Sequence, residues 1–327
     1  MEAAYGEKRE DGRIKCVLCP NYCVIAEGKQ GACRVRTNRN GTLEADSYGE
    51  VVALHVDPIE KKPLYHFHPG SRILSIGPNG CNFSCGFCQN WAISQQTTPT
   101  QHLEPQDLAG MASEDGSIGV AYTYAEPFIW FEYVRDAGKL VRERGLVNVL
   151  VTNGYVNEHP LMELLPLVDA MNVDVKSMKP EFYRNVCGGK LEDVLRTVEI
   201  AQNFCHVEIT NLIITNYNDT DQDFEKLTDW IAGIDPAIPL HFSRYYPNYQ
   251  FTEPQTPGER IKRACDIARK KLKYVYAGNI ALGGLSDTKC PVCSNTLITR
   301  SLYQVETPGI REGKCASCGT PAEVIGV

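Results

Sequence analysis

Three closely spaced cysteines constrain this chain more than any other feature. Cys81, Cys85 and Cys88 follow one another at CxxxCxxC spacing, after Gly77 and Gly80. Thiolates are the usual ligands of iron–sulfur clusters, and a [4Fe–4S] cubane normally takes four of them. Three thiolates on one short loop therefore predict a cluster with one iron open to a small molecule. The alternatives are a structural zinc knuckle, which prefers paired CxxC units, or buried free thiols.

Composition and charge narrow the class of protein. The chain has 327 residues and a net charge of −7, which argues against nonspecific binding of nucleic acid. No apolar run approaches the ~18 residues of a membrane span. The first ten residues lack the apolar core of a signal peptide. Fourteen cysteines without a secretion signal indicate metal ligands in a reducing compartment, so we expect a cytoplasmic protein.

Two further groups of four cysteines lie near the ends of the chain. The first group consists of Cys16, Cys19, Cys23 and Cys33. For it we consider zinc first, a second iron–sulfur cluster next and unligated thiols last, because thiolates suit both metals. The second group consists of Cys290, Cys293, Cys315 and Cys318. Its two CxxC pairs, about 20 residues apart, are typical of a zinc ribbon, with rubredoxin-like iron as the alternative.

The central region alternates apolar strands with helices. We predict strands over 72–76, 118–123, 148–152, 170–175, 207–215 and 240–245, and helices near 105–112, 127–144, 160–165, 191–203, 221–234 and 257–273. Continuous apolar strands are typical of a parallel sheet that is buried on both faces. Six such units predict a partial (β/α)6 TIM-like barrel, with 274–280 as a further strand against its rim. The domains would be a Cys-rich N-terminal segment (1–70), the barrel (71–285) and a C-terminal zinc ribbon (286–327).

Polar residues mark the ends of the predicted strands, where α/β barrels place their working groups. These residues are Glu126, Thr152, Asn153, Asp174, Lys176 and His241. Asp174 and Lys176 share one face of a strand because they are two residues apart. Burying both charges is costly unless they pair or bind a ligand, and a structural ion pair is the alternative. For His241 the alternative is a hydrogen-bonded core histidine.

Several other residues have two possible roles. His66, Phe67 and His68 either line a substrate pocket or pack where a small domain meets the barrel. Arg244, Tyr245 and Tyr246 are candidates to face a substrate. Three cysteines lie outside any ligand spacing and are interpreted as packing residues. They are Cys187, Cys205 and Cys265, and of these Cys187, before Gly188 and Gly189, is a candidate functional thiol.

These motifs resemble the radical SAM superfamily, and within it the enzymes of the AmmeMemoRadiSam system, which are relatives of the glycyl-radical-enzyme activases such as pyruvate formate-lyase activating enzyme. The motifs are Cys-x-Leu-Cys-Pro-Asn-x-Cys from Cys16, Gly31-Ala-Cys-Arg-Val-Arg36, Glu60-Lys-Lys-Pro-Leu64, the Cys81 motif, Tyr122-Thr-Tyr-Ala-Glu-Pro127 and His241-Phe-Ser-Arg244. The resemblance implies that Glu126, Thr152, Asn153, Asp174, Lys176 and His241 contact S-adenosylmethionine. The chain departs from the family at Tyr124 and Ala125, where glycines are usual, and at Val151, where an acid is usual.

The resemblance also implies a function. The reduced [4Fe–4S] cluster would cleave S-adenosylmethionine to methionine and a 5′-deoxyadenosyl radical, which abstracts hydrogen from a substrate. The expected substrate is a protein or peptide group, the expected electron donor is a flavodoxin or ferredoxin, and the enzyme would be an activase-like oxidoreductase that also holds zinc. Two alternatives remain open: a small-molecule substrate, or a catalytically silent metal-binding scaffold. A nucleic-acid substrate is disfavoured by the acidic balance.

Overall fold

One mostly parallel sheet forms the centre of the protein. The computed structural model describes residues 1–114 and 116–327. The strands are, in chain order, β1 (Ala53–Pro58), β2 (Arg72–Gly77), β3 (Gly119–Tyr122), β4 (Val147–Thr152), β5 (Ala170–Asp174), β6 (His206–Ile213), β7 (Leu240–Arg244) and β8 (Val275–Gly278). Strands β2 to β8 are parallel neighbours in chain order, and β1 pairs antiparallel with β2.

Helices cover the sheet between its strands. They are α1 (Pro105–Glu114), α2 (Phe131–Glu143), α3 (Glu158–Leu164), α4 (Leu191–Ala201), α5 (Asp221–Ile234) and α6 (Gly258–Ala268). Each begins or ends within a few residues of its predicted position. The start of α5 has a capping box, in which the Asp223 amide donates to Thr220 Oγ1 and the Thr220 amide donates to the Asp223 carboxylate. The strand interiors are buried, as expected for a parallel sheet with helices against it.

The sheet confirms the predicted open α/β barrel and extends it by one strand. The predicted rim strand is β8, which pairs in parallel with β7, so the described residues form seven parallel strands where six were predicted. The described residues show no pairing between the edge strands β1 and β8, and the barrel therefore remains open. Strand β1 lies in the predicted N-terminal segment but belongs to the main sheet, so the domain division at residue 70 stays a proposal.

Short elements build the two terminal units and the connections. The short strands are Gly6–Lys8, Ile14–Cys16, Val24–Ile25, Arg36–Arg39, Thr42–Ala45, Glu50–Val51, Gln101–His102, Thr288–Lys289, Thr296–Ser301, Gln304–Glu306, Ile310–Arg311 and Lys314–Cys315. The short helices are Ile59–Lys61, Trp91–Ser94, Pro127–Trp130, Leu165–Leu167, Pro180–Phe182 and the π-helix Tyr183–Cys187. Among the described residues, none of the helices has both the length and the apolar character required to cross a bilayer.

Candidate active site

A large cavity opens at the carboxyl ends of the parallel strands. Its volume is about 1500 Å³. All nine residues predicted for the barrel site line it: Cys81, Cys85, Cys88, Glu126, Thr152, Asn153, Asp174, Lys176 and His241. The carboxyl ends of parallel strands meet at one edge of a sheet, which is why residues distant in sequence converge here. The volume exceeds the 300–1,000 Å³ that is usual for a small-molecule pocket.

Two glycines shape the loop that carries the three cysteines. A Cβ atom on Gly77, at the end of β2, would lie 2.3 Å from the carbonyl oxygen of Thr123. Gly80 has φ +95°, and a Cβ atom there would lie 2.5 Å from the carbonyl oxygen of Cys33. Both positions therefore require glycine, one for the close approach of a strand and the other also for its backbone conformation. The turn directs Cys81 into the cavity.

The sulfur atoms of this loop have the surroundings of metal ligands. The Phe83 amide donates to Cys81 Sγ at 3.4 Å, and Ser94 Oγ lies 3.1 Å from Cys88 Sγ. Burial raises the pKa of Cys81 and of Cys88. A bound metal overrides that effect, because coordination deprotonates a thiol outright. Three soft donors beside a wide cavity therefore fit a cluster that leaves one iron accessible.

Glu126 forms the centre of a buried hydrogen-bond network at the ends of β3 and β4. Its carboxylate accepts from Thr152 Oγ1 at 2.6 Å, from the Asn153 amide at 2.8 Å and from the Phe128 amide at 3.0 Å. Burial raises its pKa to about 7, against the opposing effect of these donors. The Asn153 side chain then donates to Asn82 Oδ1 at 2.9 Å, which links this network to the cysteine loop.

Tyr124 takes the backbone conformation that a glycine would adopt at little cost. Its φ is +67°, in the left-handed region that L residues rarely occupy. The side chain compensates, since Tyr124 Oη donates to Asp57 Oδ2 at 2.7 Å and Lys62 Nζ lies 4.8 Å from the ring centroid. The chain thus keeps a glycine-like backbone at a position where the sequence departs from the family pattern.

Asp174 and Lys176 form an ion pair at the cavity wall. Lys176 Nζ lies 3.0 Å from Asp174 Oδ2, and the side chains are 13% and 39% exposed respectively. Burial lowers the pKa of Lys176, but the Asp174 carboxylate and the thiols of Cys85 and Cys187 raise it well above its usual range. Asp174 is the more exposed partner and remains accessible from the cavity, so the pair can both stabilise the strand end and contact a ligand.

His241 is held in place by a buried carboxylate that sequence reasoning missed. Its Nε2 lies 2.6 Å from Glu208 Oε2, and Glu208 is fully buried. Burial disfavours the charged form of Glu208, yet hydrogen bonds from His206 and His241 hold its pKa well below the usual range. The His241 ring stacks on Tyr276, with ring centroids 5.2 Å apart. A charged residue between Val207 and Ile209 in a predicted strand was the available signal.

Three further groups reach the cavity although the sequence analysis assigned them no role in it. Lys62 Nζ donates to Asp57 Oδ2 at 2.8 Å, and burial lowers the pKa of Lys62. Arg300, from the C-terminal unit, donates to the Tyr65 carbonyl at 2.7 Å and lies 4.2 Å from the Tyr65 ring centroid. Leu302, at the tip of the same hairpin, is 90% exposed and lines the cavity mouth.

The remaining sequence-based candidates divide between the cavity and the core. Arg244 and Tyr246 line the cavity, whereas Tyr245 is buried and donates to the Phe251 carbonyl. His66 and Phe67 are also buried, in the packing role that was the alternative to a pocket. Cys187 is buried beside the cysteine loop. A hydrogen bond between the Cys187 and Cys85 thiols is the main cause that raises the pKa of Cys85, and burial is the next.

The C-terminal cysteines form a compact set of four sulfur donors. The ligand atoms of Cys290, Cys293, Cys315 and Cys318 all lie within 4.8 Å of one another. Cys290 Sγ and Cys318 Sγ are 3.6 Å apart, as are Cys293 Sγ and Cys315 Sγ. A Zn–S bond of 2.3 Å implies an edge of roughly 3.8 Å for a tetrahedron of thiolates. The donor set fits a zinc ribbon, as the spacing predicted, and it also accommodates iron.

Comparison with known proteins agrees with this geometry. The model of the radical SAM superfamily matches residues 75–231. An uncharacterised protein of Methanocaldococcus jannaschii is 40% identical and covers 99% of both chains. The pyruvate formate-lyase 1-activating enzyme of Escherichia coli K12 is 26% identical over 54% of this chain and 75% of its own length.

Solved structures share the fold. A radical SAM methyltransferase from Sphaerobacter thermophilus is 16% identical, with a TM-score of 0.50 over 64% of this chain and 67% of that one. Streptococcus suis SuiB bound to its precursor peptide SuiA is 12% identical, with a TM-score of 0.50 over 68% of this chain and 51% of that one. At these identities the likeness concerns the fold alone.

Proposed function

Since this chain belongs to the radical SAM superfamily, we propose that it cleaves S-adenosylmethionine reductively and uses the radical to modify a protein or peptide. The observation that carries the proposal is the convergence of Cys81, Cys85 and Cys88 with the polar strand ends on one cavity of about 1500 Å³. Cys81, Cys85 and Cys88 would hold the cluster, which would supply one electron for the reductive cleavage of S-adenosylmethionine and so for hydrogen abstraction from the substrate. The protein's own residues bind, orient and shield.

We assign the polar groups of the cavity to three tasks, which are holding the cluster, binding S-adenosylmethionine and contacting the substrate. The Asn153 side chain and the Phe83 amide stabilise the Cys81 thiolate by donating N–H groups to its sulfur. Asp174 offers a carboxylate to ligand donors while Lys176 compensates its charge. Glu126 holds the ends of two strands together, and Glu208 orients the His241 ring toward the cavity. Arg244 and Tyr246 are positioned to contact the substrate beyond the cofactor.

A protein or peptide substrate is supported by two observations. The cavity is larger than a pocket for one small ligand, and it stays open at a mouth lined by Leu302 and Tyr303. The relatives named pyruvate formate-lyase-activating enzymes, from Escherichia coli and Clostridium pasteurianum, act on a protein. Glycyl radical installation is one form of the proposed reaction, and the motif set from Cys16 to Arg244 supports an enzyme of the AmmeMemoRadiSam type. A flavodoxin or ferredoxin as reductant, a cytoplasmic location and a zinc-loaded C-terminal ribbon complete the proposal.

Isotope transfer tests this function. Protein reconstituted anaerobically with iron and sulfide is incubated with dithionite, S-adenosylmethionine and a cell extract grown in deuterated medium, fractionated into macromolecules and metabolites. Deuterium in 5′-deoxyadenosine from the macromolecular fraction alone supports a protein or peptide substrate. Deuterium from the metabolite fraction alone overturns that assignment in favour of a small molecule. If no 5′-deoxyadenosine forms under any condition, the radical function fails and the scaffold alternative stands.

A further inference from the structure

The four N-terminal cysteines surround a small void next to the active-site loop. Cys16, Cys19, Cys23 and Cys33 all line this void, whose volume is about 10 Å³. Three of them are buried, with Cys16 7%, Cys19 8% and Cys33 9% exposed. The Ala32 amide donates to Cys23 Sγ at 3.3 Å, a bond that stabilises thiolate ligands. No disulfide joins any of the four in the described part of the chain.

The spacing of these sulfur atoms differs from that of the C-terminal set. Among the described residues, only the group at Cys290 brings three or more such ligand atoms within 4.8 Å of one another, so the N-terminal sulfurs are more widely spread. Four thiolates around one zinc lie roughly 3.8 Å apart and enclose the ion alone. The ligand sulfurs of a [4Fe–4S] cluster lie further apart than those of one zinc, because four irons and four sulfides stand between them. The Cys81 triad, the proposed cluster site, also falls outside the 4.8 Å limit in the described part of the chain.

A buried cation faces the void. Arg36 is 1% exposed, lines the void and pairs with Glu132 Oε1 at 2.5 Å. Its Nε atom has no hydrogen-bond partner among residues 1–114 and 116–327. Burying a guanidinium N–H without an acceptor is costly, so an acceptor is expected in the void. Cysteine thiolates and inorganic sulfides of an iron–sulfur cluster would supply both the acceptor and negative charge.

Two direct contacts connect this set with the proposed cluster site. The Cys33 carbonyl packs against Gly80, the residue before Cys81, at a point where a Cβ atom would lie 2.5 Å away. The Arg34 guanidinium, on the next residue, donates to the Ser94 carbonyl, and Ser94 Oγ lies 3.1 Å from Cys88 Sγ. Only one or two residues therefore lie between the N-terminal cysteines and the cysteines of the Cys81 loop along these contacts.

We propose that Cys16, Cys19, Cys23 and Cys33 hold a second iron–sulfur cluster, which relays electrons to the cluster at Cys81, Cys85 and Cys88. A low-potential protein donor of the flavodoxin or ferredoxin class gives one electron to the N-terminal cluster. That electron then passes to the cluster at Cys81, Cys85 and Cys88, so the N-terminal cluster is reoxidised and no bond forms or breaks. The relay role rests on the proposed function, whereas the metal assignment does not.

Metal analysis of the full-length protein tests the assignment. Iron, sulfide and zinc are measured after anaerobic purification and reconstitution, for wild type, for Cys81→Ala/Cys85→Ala/Cys88→Ala and for Cys19→Ser/Cys33→Ser. Cys205→Ser is the matched control, because that thiol is half-buried and has no cysteine partner among the described residues. Electron paramagnetic resonance of each reduced sample reports which cluster remains.

The two metals predict different stoichiometries. Two [4Fe–4S] clusters give about eight irons with one zinc in the wild type and about four irons in each multiple variant. About four irons with two zincs in the wild type, and iron absent from the Cys81 triple variant, would overturn the assignment. The wild type and the triple variant decide this even if Cys19→Ser/Cys33→Ser does not fold.

The relay is tested by comparing two electron donors. We expect Cys19→Ser/Cys33→Ser to lower the ratio of flavodoxin-driven to dithionite-driven 5′-deoxyadenosine formation at least tenfold. Dithionite reaches the cluster at Cys81, Cys85 and Cys88 directly, so the dithionite-driven reaction does not need the N-terminal cluster. An unchanged ratio overturns the relay. Failure of the proposed function is distinguishable, since wild type would then form no nucleoside with either donor at any iron content.

Discussion

The side-chain nitrogen of Asn153 lies 3.6 Å from Cys81 Sγ and donates to Asn82 Oδ1 at 2.9 Å. An N–H group directed at a ligand sulfur stabilises the reduced, more negative cluster and so raises its potential. We expect Asn153→Ala to lower the midpoint potential by on the order of 40 mV, if the bond is worth about 1 kcal/mol. Redox titration followed by electron paramagnetic resonance measures the shift. Asn203→Ala, at the exposed end of α4, is the control, and equal potentials in both variants would contradict the contact.

The left-handed backbone of Tyr124 gives a second prediction, about stability. At φ +67° alanine carries a penalty of about 1–2 kcal/mol that glycine escapes. Tyr124→Gly should therefore have a larger free energy of unfolding than Tyr124→Ala by about 1 kcal/mol. The same pair of substitutions at exposed Lys262, inside α6, should give the reverse order, since glycine weakens a helix by about 1 kcal/mol. Urea denaturation measures the free energy of unfolding of the four variants. If alanine is more stable than glycine at both positions, the strained conformation of Tyr124 is refuted.

A substitution in the ion pair at the cavity wall distinguishes a binding role of Asp174 from a structural role. If Asp174 contacts S-adenosylmethionine, Asp174→Asn should weaken binding by about ten- to a hundredfold, the cost of losing a charged hydrogen bond. Equilibrium dialysis with the reconstituted protein measures the dissociation constant. Asp229→Asn, which removes the exposed partner of Lys271, should leave it unchanged. Unaltered affinity in Asp174→Asn, with lower stability, would favour the structural ion pair.

His66 makes the attachment of the C-terminal unit sensitive to pH. Its ring bonds the Glu323 carbonyl and Tyr276 Oη, each at 2.6 Å, and burial lowers its pKa to about 4. The unfolded chain binds a proton below pH ~6.5 while the folded chain does not, so stability should fall between pH 6.5 and 4.

The loss should be on the order of 3 kcal/mol in full and absent from His66→Gln. Urea denaturation of the zinc-loaded protein between pH 5 and 7 measures it, with exposed His159→Gln as control. Parallel pH profiles for wild type and His66→Gln would contradict a neutral buried histidine.

Local patterns were sufficient for much of the fold and the site. The apolar strands, the glycine-flanked CxxxCxxC loop and the charged pair in β5 each follow from short-range spacing, and the structure brings these residues to one cavity. The parallel pairing of β8 with β7 could not be predicted, because the sequence of a four-residue strand does not indicate which strand it pairs with.

Long-range partners explain the rest of what sequence reasoning missed. Lys62 and Arg300 reach the cavity from the first strand connection and from the C-terminal hairpin, and only the folded chain brings them together. Cys187 contacts Cys85 across about a hundred residues for the same reason. Glu208 was detectable, since a carboxylate between Val207 and Ile209 in a strand requires a partner as Asp174 does. Its partner His241 lies on the neighbouring strand, where the register places His241 opposite Thr210, two residues from Glu208 on the same face.

The proposed cleavage of S-adenosylmethionine depends above all on an open iron at the Cys81, Cys85 and Cys88 cluster. Electron–nuclear double resonance of the reduced protein with S-adenosylmethionine labelled with ¹⁵N at its amine measures that directly. We predict a strong ¹⁵N coupling to the cluster signal that vanishes in the triple alanine variant. A reduced cluster with full iron content and no ¹⁵N coupling would contradict the account, because the cofactor would then not be bound at the open iron.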